Sequence, residues 1–548
     1  MPALCWTYDG RQPMTAIVDT AIIKAILVKD SRGLFTNRRD FGLNGVLGCA
    51  ITRARDEQGK RICTAVFLTF TSRRRKWILP IINCYAETLM KMVQKKVANE
   101  ESMDMKNIFG AYIGAFIFAF AGYETTLKFL SSNLATHPAV QQQLQEEIDA
   151  ALPNKAISTY KAVVQMEYLD MVVNESIKLF PPSGWLETAC KKTIVTNGAT
   201  LPKGTVTMIQ AYMLHHDPSS GQSPRSSGLR VDSMNNPKDP FVAYIKKYLE
   251  FKFLNPVLML VVVFPFLTPV LKKMNVTVMP TGFMDFFFNV LRNIKEERQK
   301  NRNTERVDFL QLMLDAQNPD DRSRPKEEKH AYKTLTDTEI LAQALVFILA
   351  GYETTSSTLS FISYNLATHP DVQQRLHEEI DAALPNRASP AYEAVMQMEY
   401  LDMVVNETLR LFPPGGRIER VCKETTEING VTIPKGTLTV IPSYVLHRDP
   451  EHWPEPEEFR PERFSKENRD SMDPYIFLPF GAGPRNCIGM RFALLSLKMA
   501  LVVLLQRFSF RTCKDTPVPL VLDSKGFMQP KKPIILKMVP RTHMQPEE

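Results

Sequence analysis

One block of this chain occurs twice, and that limits what the chain can fold into more than any other feature. The stretch QMEYLDMVVNE at Gln165–Glu175 recurs at Gln397–Glu407, 232 residues on. Similarity spreads from about Phe118 to Pro218 in the first copy and from about Phe347 to Pro450 in the second. So long a period is not a solenoid repeat; a single large block is present twice. Copies of the same helices compete for one core position, so their differences decide which copy fills it. The second copy has Arg410, Arg417, Arg420 and Arg448 where the first has Lys178, Trp185, Thr188 and His216. The first keeps Ala121-Gly122-Tyr123-Glu124-Thr125-Thr126, but the helical stretch after it is three residues shorter, nearly one turn. Residues 113–227 are therefore expected to be an inserted, decayed duplicate of the 342–450 block. They separate an N-terminal part, 1–112, from a core, 228–548.

Only the second copy is followed by Phe480-Gly481-Ala482-Gly483-Pro484-Arg485-Asn486-Cys487-Ile488-Gly489. A single cysteine sits in a loop stiffened by proline and loosened by glycines, just before a long apolar run. Glycines at this spacing let backbone approach a flat ligand and leave N–H groups to point at sulfur. At the N-terminus of the following helix, the macrodipole favours a thiolate. A thiolate so held suits the axial position of a haem iron. Other readings fit poorly. The third glycine is misplaced for a dinucleotide loop, and Pro484 interrupts the run. The nearest cysteines, Cys422 and Cys513, are too far along the chain for a structural zinc site, and no Cys-x-x-Cys occurs.

Upstream, Thr336-Asp337-Thr338-Glu339 reads as a capping box that opens a helix. Ile340, Ala344, Phe347, Ile348 and Gly351 follow at helical spacing, and His369-Pro370 marks the stop. Inside this helix, Ala350-Gly351-Tyr352-Glu353-Thr354-Thr355 is poor helix material, the glycine alone costing about 1 kcal/mol. Such a flaw is tolerated where something must lie against the backbone. Glu407 and Arg410, spaced i, i+3, share one face of a later helix. Arg417 and Arg420 precede a strand-like stretch, Thr426 to Ile433, and Pro461-Glu462-Arg463-Phe464 leads toward the cysteine loop.

The loop fills every fixed position of Phe-x-x-Gly-x-Arg-x-Cys-x-Gly. With the other segments in order before it, the chain resembles the cytochrome P-450 haem-thiolate monooxygenases. Residues 1–112 and 228–548 are similar to the vertebrate liver branch called family 3, subfamily A. Asn235-Asn236-Pro237-Lys238-Asp239-Pro240-Phe241, Val307-Asp308-Phe309-Leu310-Gln311-Leu312-Met313 and Met398-Glu399-Tyr400-Leu401-Asp402-Met403 carry that similarity. The resemblance implies a mainly α fold with a small β region, interrupted by the partial duplicate, and haem b as cofactor. It implies insertion of one oxygen atom of O2 into lipophilic substrates such as xenobiotics and steroids, a reaction of the EC 1.14.14 class. Electrons would come from NADPH through a flavoprotein reductase, with cytochrome b5 as a further partner. Residue by residue, it implies Cys487 as iron ligand, with Phe480, Arg485, Arg420 and Arg38 around the haem. Gly351 would make room for dioxygen, while Glu353 and Thr354 relay protons. Glu407, Arg410 and Arg463 would form a buried, charge-assisted triad beneath the loop. Two positions depart from the pattern: Gly59 replaces a propionate-binding tryptophan, and Cys63 its companion arginine. A rival reading is a non-catalytic or poorly haem-loaded product of a duplicated or mis-joined gene.

Composition speaks to surroundings. A chain of 548 residues, 44% hydrophobic, can bury a large core. Eight cysteines without regular spacing point to a reducing compartment. The net charge is +8, and its densest run, Arg73-Arg74-Arg75-Lys76, reads as a solvated face or a contact for anionic lipid or an acidic partner. No nucleic-acid motif accompanies it. The chain opens strand-like from Met14 to Val18 and helical through Lys29, and is expected to lack a signal peptide and the anchor helix of the family. Phe253 to Leu271 is long enough to span a bilayer, but Pro256, Pro265 and Pro269 break the helix a span requires. It is expected to be buried or to dip into the membrane, giving peripheral attachment to the cytoplasmic face of the endoplasmic reticulum.

Overall fold

A computed structural model describes residues 4–40, 42–67, 72–121, 256–274, 276–277, 335–523 and 528–541, with short pieces between 142 and 209 and at 292 and 313–314. The chain forms two compact units, Met1–Ala121 with Asp232–Glu548, and Gly122–Val231. In chain order the strands needed here are β1 (Leu4–Asp9), β2 (Gln12–Ile17), β3 (Met103–Asp104), β4 (Leu186–Ala189), β5 (Ile194–Thr196) and β6 (Ala199–Leu201). After them come β7 (Val206–Ile209), β8 (Ile418–Val421), β9 (Thr426–Ile428), β10 (Val431–Ile433) and β11 (Leu438–Ile441).

In the first unit β1 and β2 pair antiparallel around Gly10. β11 lies parallel to β2, with Leu438 opposite Met14, and antiparallel to β8, so the sheet order is β1-β2-β11-β8. β9 and β10 close a hairpin at Asn429-Gly430, both at positive φ as a type I′ turn demands. The opening of the chain follows its pattern: after β2, Asp19 caps a helix, Thr20–Lys24, which continues as a π-helical turn, Ala25–Lys29. Ile17, Ile22, Ile26 and Leu27 pack there with Phe35, Ile441 and Leu478 in one apolar cluster. The cysteine loop rests on that cluster.

The helix Asp337–Thr368 runs through the core. Its capping box is complete: the Thr336 hydroxyl accepts from the Glu339 N–H, and the Glu339 carboxylate accepts from the Thr336 N–H. Its polar second half stays helical because the hydroxyls satisfy themselves locally. Ser356, Thr358, Ser360 and Ser363 each donate to the carbonyl four residues back. Among the described residues it is the one helix long and apolar enough to cross a membrane, and 72% of its apolar window is buried inside the protein. Core packing accounts for that hydrophobicity.

Against it lies the helix Met105–Ala121, which runs straight across the expected start of the insertion at 113. Ile113 and Ile117 are buried, so the first nine residues assigned to the duplicate complete a helix of the first unit. The second unit begins only at Gly122. Both sides of the joint are apolar and helical, and a formed helix propagates through such a joint at little cost.

The three prolines divide the 253–271 run as expected. Pro256 opens a helix, Pro256–Val263, Pro265 begins a 3-10 turn, and Pro269 stands in the first turn of Thr268–Lys273. The segment is largely exposed, Val261 being its one buried side chain among the described residues. Met259, Leu260, Val263, Phe264, Phe266, Val270 and Met274 are exposed, as are Trp6 and Tyr8 on β1, whose turn meets Val262 at Gly10. Short, proline-cut helices offer no continuous stripe to a core, which leaves these side chains on the surface.

The second unit pairs β4 with β7, from Leu186 opposite Ile209 to Ala189 opposite Val206, and β5 with β6. These pairings repeat β8 with β11 and β9 with β10, residue for residue, 232 positions earlier. The first copy's QMEYLDMVVNE and its Glu124-Thr125-Thr126 lie outside the described residues.

Candidate active site

The cysteine loop is shaped by two glycines in the left-handed region, Gly481 and Gly483, each at φ +71°. At Gly483 a Cβ would fall 1.9 Å from the Leu27 carbonyl oxygen, so the loop lies directly on the Ala25–Lys29 turn. The Cys487 N–H donates to the Phe480 carbonyl at 2.9 Å and closes the loop. Cys487 is solvent-exposed, yet protein groups around it govern its ionisation. Burial pushes its thiol up, while the N–H groups of Gly489 and Met490 and the charge of Arg38 pull it down. The helix begins at Met490, three residues on, and its first N–H is one of the two that meet the sulfur. Two loop N–H groups do point at the sulfur, and a cation bound there would take the thiol to thiolate.

Arg38, Arg420 and Arg485 gather beside this loop. Arg38 Nη2 donates to the Arg485 carbonyl at 3.1 Å, and Arg485 donates to Ile51 at 3.2 Å and Ala54 at 3.0 Å. Arg420, on β8, donates to the Glu419 carbonyl at 2.8 Å. Arg420 Nε and Arg485 Nε are buried with no partner, and none of the three guanidinium groups has a carboxylate beside it among the described residues. Burial first, then mutual repulsion, lowers Arg38 to about 10 and Arg420 to about 9. Holding three like charges together without an anion, Arg420 buried and Arg38 and Arg485 partly so, is unfavourable. A flat group carrying two carboxylates would relieve that cost, and these residues fit the propionates of a haem.

The helix Asp56–Phe67 comes close because residue 59 is glycine. A Cβ there would lie 2.7 Å from the Ala54 carbonyl oxygen and 3.5 Å from Arg485 Nη1. An indole has no room in that position. Cys63 feels Arg485 and Arg38 electrostatically, so a thiol stands where a further guanidinium would have joined the group.

Over the residues from Glu339 to Ala367, the central helix is buried except at Val346, Phe347, Ala350, Gly351 and Thr354. Spacings of three and four put these on one open face. The Thr354 hydroxyl donates to the Ala350 carbonyl at 2.8 Å. Two of the expected residues also have packing partners. At Gly351 a Cβ would sit 2.6 Å from Ile117 Cδ1, so the glycine makes room for a neighbouring helix as much as for any ligand. Glu353 is 3% exposed, ion-paired with Lys106, and accepts from Gln529 at 2.7 Å and Ser357 at 3.3 Å. These bonds hold the central helix to Lys106 on Met105–Ala121 and to Gln529. Ala350 carries no chemistry of its own and was passed over in the sequence; its signal was a place four residues before Thr354.

Below the loop, Glu407 and Arg410 are fully buried and joined by two bonds, at 2.7 and 2.8 Å. Arg463 Nε stands 3.4 Å from Glu407, which also accepts from the Arg460 N–H at 3.0 Å. Arg410 donates onward to the carbonyls of His447, Pro456 and Glu458 at 2.9, 2.7 and 3.1 Å. His447, also fully buried, accepts from the Leu478 N–H at 2.9 Å, two residues before Phe480. The network thus ties the helix Glu399–Leu411 to the start of the cysteine loop. Nothing in the sequence singled out His447, because its role depends on residues 37 and 31 positions away.

The family model for Cytochrome P450 matches residues 113–226 and again 227–538. Cytochrome P450 3A1 of Rattus norvegicus is 44% identical over 534 residues, covering 97% of this chain and 84% of that protein. Cytochrome P450 3A13 of Mus musculus is 42% identical over 541 residues, 99% and 85%. Cytochrome P450 3A28 of Bos taurus is 42% identical over 534 residues, 97% and 83%. With its mainly helical fold, small β region and haem iron as cofactor, the chain belongs to the cytochrome P450 family of haem monooxygenases.

Proposed function

We propose that the chain oxidises lipophilic small molecules, of the xenobiotic and steroid class, at a haem held between the Cys487 loop and the open face of the central helix. The observation that carries this reading is the exposed Cys487 beside the buried Arg420 and the partly buried Arg38 and Arg485, with no carboxylate beside them among the described residues. Cys487 is the metal ligand, and Arg38, Arg420 and Arg485 bind the two propionates as rigid forks. When bound, the haem supplies dioxygen activation at its iron. Phe480 closes the loop through its carbonyl, and Gly489 and Met490 hold the sulfur through their N–H groups. Thr354, on the open face, donates and accepts a proton at its hydroxyl, with the Ala350 carbonyl as its resting partner. Val346 and Phe347 line the same face and exclude water from an apolar substrate.

Electrons reach the site from NADPH through a flavoprotein reductase, with cytochrome b5 as a further donor, on the side where Asn486, Cys487 and Arg491 are exposed. Exposed Arg491 suits an acidic partner surface. The exposed apolar residues of 259–274, with Trp6 and Tyr8, contact the cytoplasmic face of the endoplasmic reticulum membrane.

A carbon monoxide difference spectrum of the reduced protein tests the assignment. The red-shifted thiolate Soret band is expected in the parent chain, in Cys422→Ser and in Cys513→Ser, and its survival in Cys487→Ser would sink the ligand assignment. A second reading, a chain that loads haem poorly, draws on Gly59 and Cys63. It predicts a weak band in the parent chain too.

A further inference from the structure

A cavity of about 600 Å³ opens outside the site above, and none of its lining residues belongs to that site. Its walls come from the β1–β2 turn, the 39–42 loop with Arg55, and the segment from Val261 to Lys272. Two glycines in the left-handed region fix these walls. At Gly10 a Cβ would lie 2.6 Å from the Val262 carbonyl oxygen, and at Gly42 it would lie 2.6 Å from Thr268 Cγ2. The cavity is therefore built by close packing on both sides. Arg39, whose side chain is 8% exposed, is ion-paired with Asp9, and Arg55 Nη2 lies 2.8 Å from Asp40. Lys272 is exposed and has no acidic partner among the described residues. Three cations against two carboxylates leave one positive charge. Val261, Val262 and Pro269 complete the lining, and Phe264 and Val270 stand exposed nearby along the same segment.

We infer that this cavity takes the phosphodiester headgroup of a membrane glycerophospholipid, its acyl chains leaving along the exposed apolar residues of 259–270. The single negative charge of a phosphodiester pairs with Lys272 while any headgroup cation, such as choline, stays in water, whereas a phosphate monoester carries nearly two charges at neutral pH. An apolar wall next to the charges serves a ligand with an apolar tail and offers nothing to free phosphate. Lys272 and the half-exposed guanidinium of Arg55 meet the phosphodiester oxygens, while Arg39 holds Asp9 in place. The inference rests on the membrane contact proposed above and gives that contact a headgroup preference.

The test uses the full haem-loaded chain and two kinds of probe. Dihexanoylphosphatidylcholine below its micellar concentration, titrated calorimetrically, is expected to bind saturably at one site. Lys272→Gln and Arg55→Gln should each weaken that binding several-fold, and inorganic phosphate should bind far more weakly. In co-sedimentation, phosphatidylcholine vesicles should capture more protein than vesicles of a neutral galactolipid. Equal capture by both vesicles with no saturable headgroup binding overturns the site and leaves the membrane contact standing. Capture by neither vesicle, with headgroup binding intact, overturns the membrane contact and leaves the site. Inorganic phosphate binding as tightly as the diester overturns the assignment to a lipid.

Discussion

At Gly483 two constraints coincide, a backbone at φ +71° and a neighbouring carbonyl oxygen 1.9 Å from where a methyl would stand. Because the obstacle is backbone, it cannot swing aside as a side chain could. Gly483→Ala is expected to lift the loop from Leu27 and lower haem retention, read as pyridine haemochromogen per polypeptide, whereas an alanine at Gly489, where nothing lies near, should keep most of it. Cys487 and its loop were legible in the sequence because the residues that carry their pattern are contiguous, Phe480 to Gly489, although Leu27 beneath Gly483 was not. Glu353 and Gly351 were not, since Lys106 and Ile117, which occupy them, are more than 230 residues away. Hence a second pair of variants. Thr354→Ala should divert reducing equivalents to peroxide with little change in melting temperature. Glu353→Gln should instead weaken the Lys106 pair, lower the melting temperature and leave coupling closer to the parent. Equal loss of coupling in the two would restore Glu353 to the proton path.

Among the elements, the central helix was the most readable, its cap, stop and apolar spacing all lying within its own sequence. Thr336→Ala removes the cap and should cost about 1 kcal/mol in urea unfolding. The extension of the 105–121 helix across residue 113 was hidden by the repeat, which drew a boundary where helical propensity has none. The segment that carries His447 adds a pH dependence. Burial pushes His447 down to about 3 and His377 to about 4, from 6.5. In the unfolded chain both take a proton near 6.5, so across the window from about 3 to 6.5 the unfolded state binds more protons. Stability therefore rises with pH through that window and is fully present above it. The urea midpoint should fall as pH is lowered from 7 to 4.5. His447→Gln keeps an acceptor for the Leu478 N–H but cannot titrate, so it should flatten that decline. An unchanged slope in the variant would assign the pH dependence to other groups.

For the whole molecule, the question is what the second unit does to the first. Its strand pairings copy those of β8 to β11, yet β11 also pairs with β2, and one strand edge accepts one partner. Two segments of nearly the same pattern can contend for that edge during folding, a route to exchange between chains. Length alone is no burden, since each doubling of a loop adds only about 0.6 kcal/mol of closure entropy. Where the chain is cut then matters. Removing 122–231 with a short connector keeps Ile113 and Ile117 in the helix Met105–Ala121, against the central helix. Removing 113–227 strips both side chains from that helix, and each large buried aliphatic lost costs roughly 2–5 kcal/mol. The first deletion is expected to raise the haem-loaded fraction and the melting temperature, the second to lower both. If the 122–231 deletion also lowers both, the second unit is integral to this fold and the reading of it as a decayed duplicate fails.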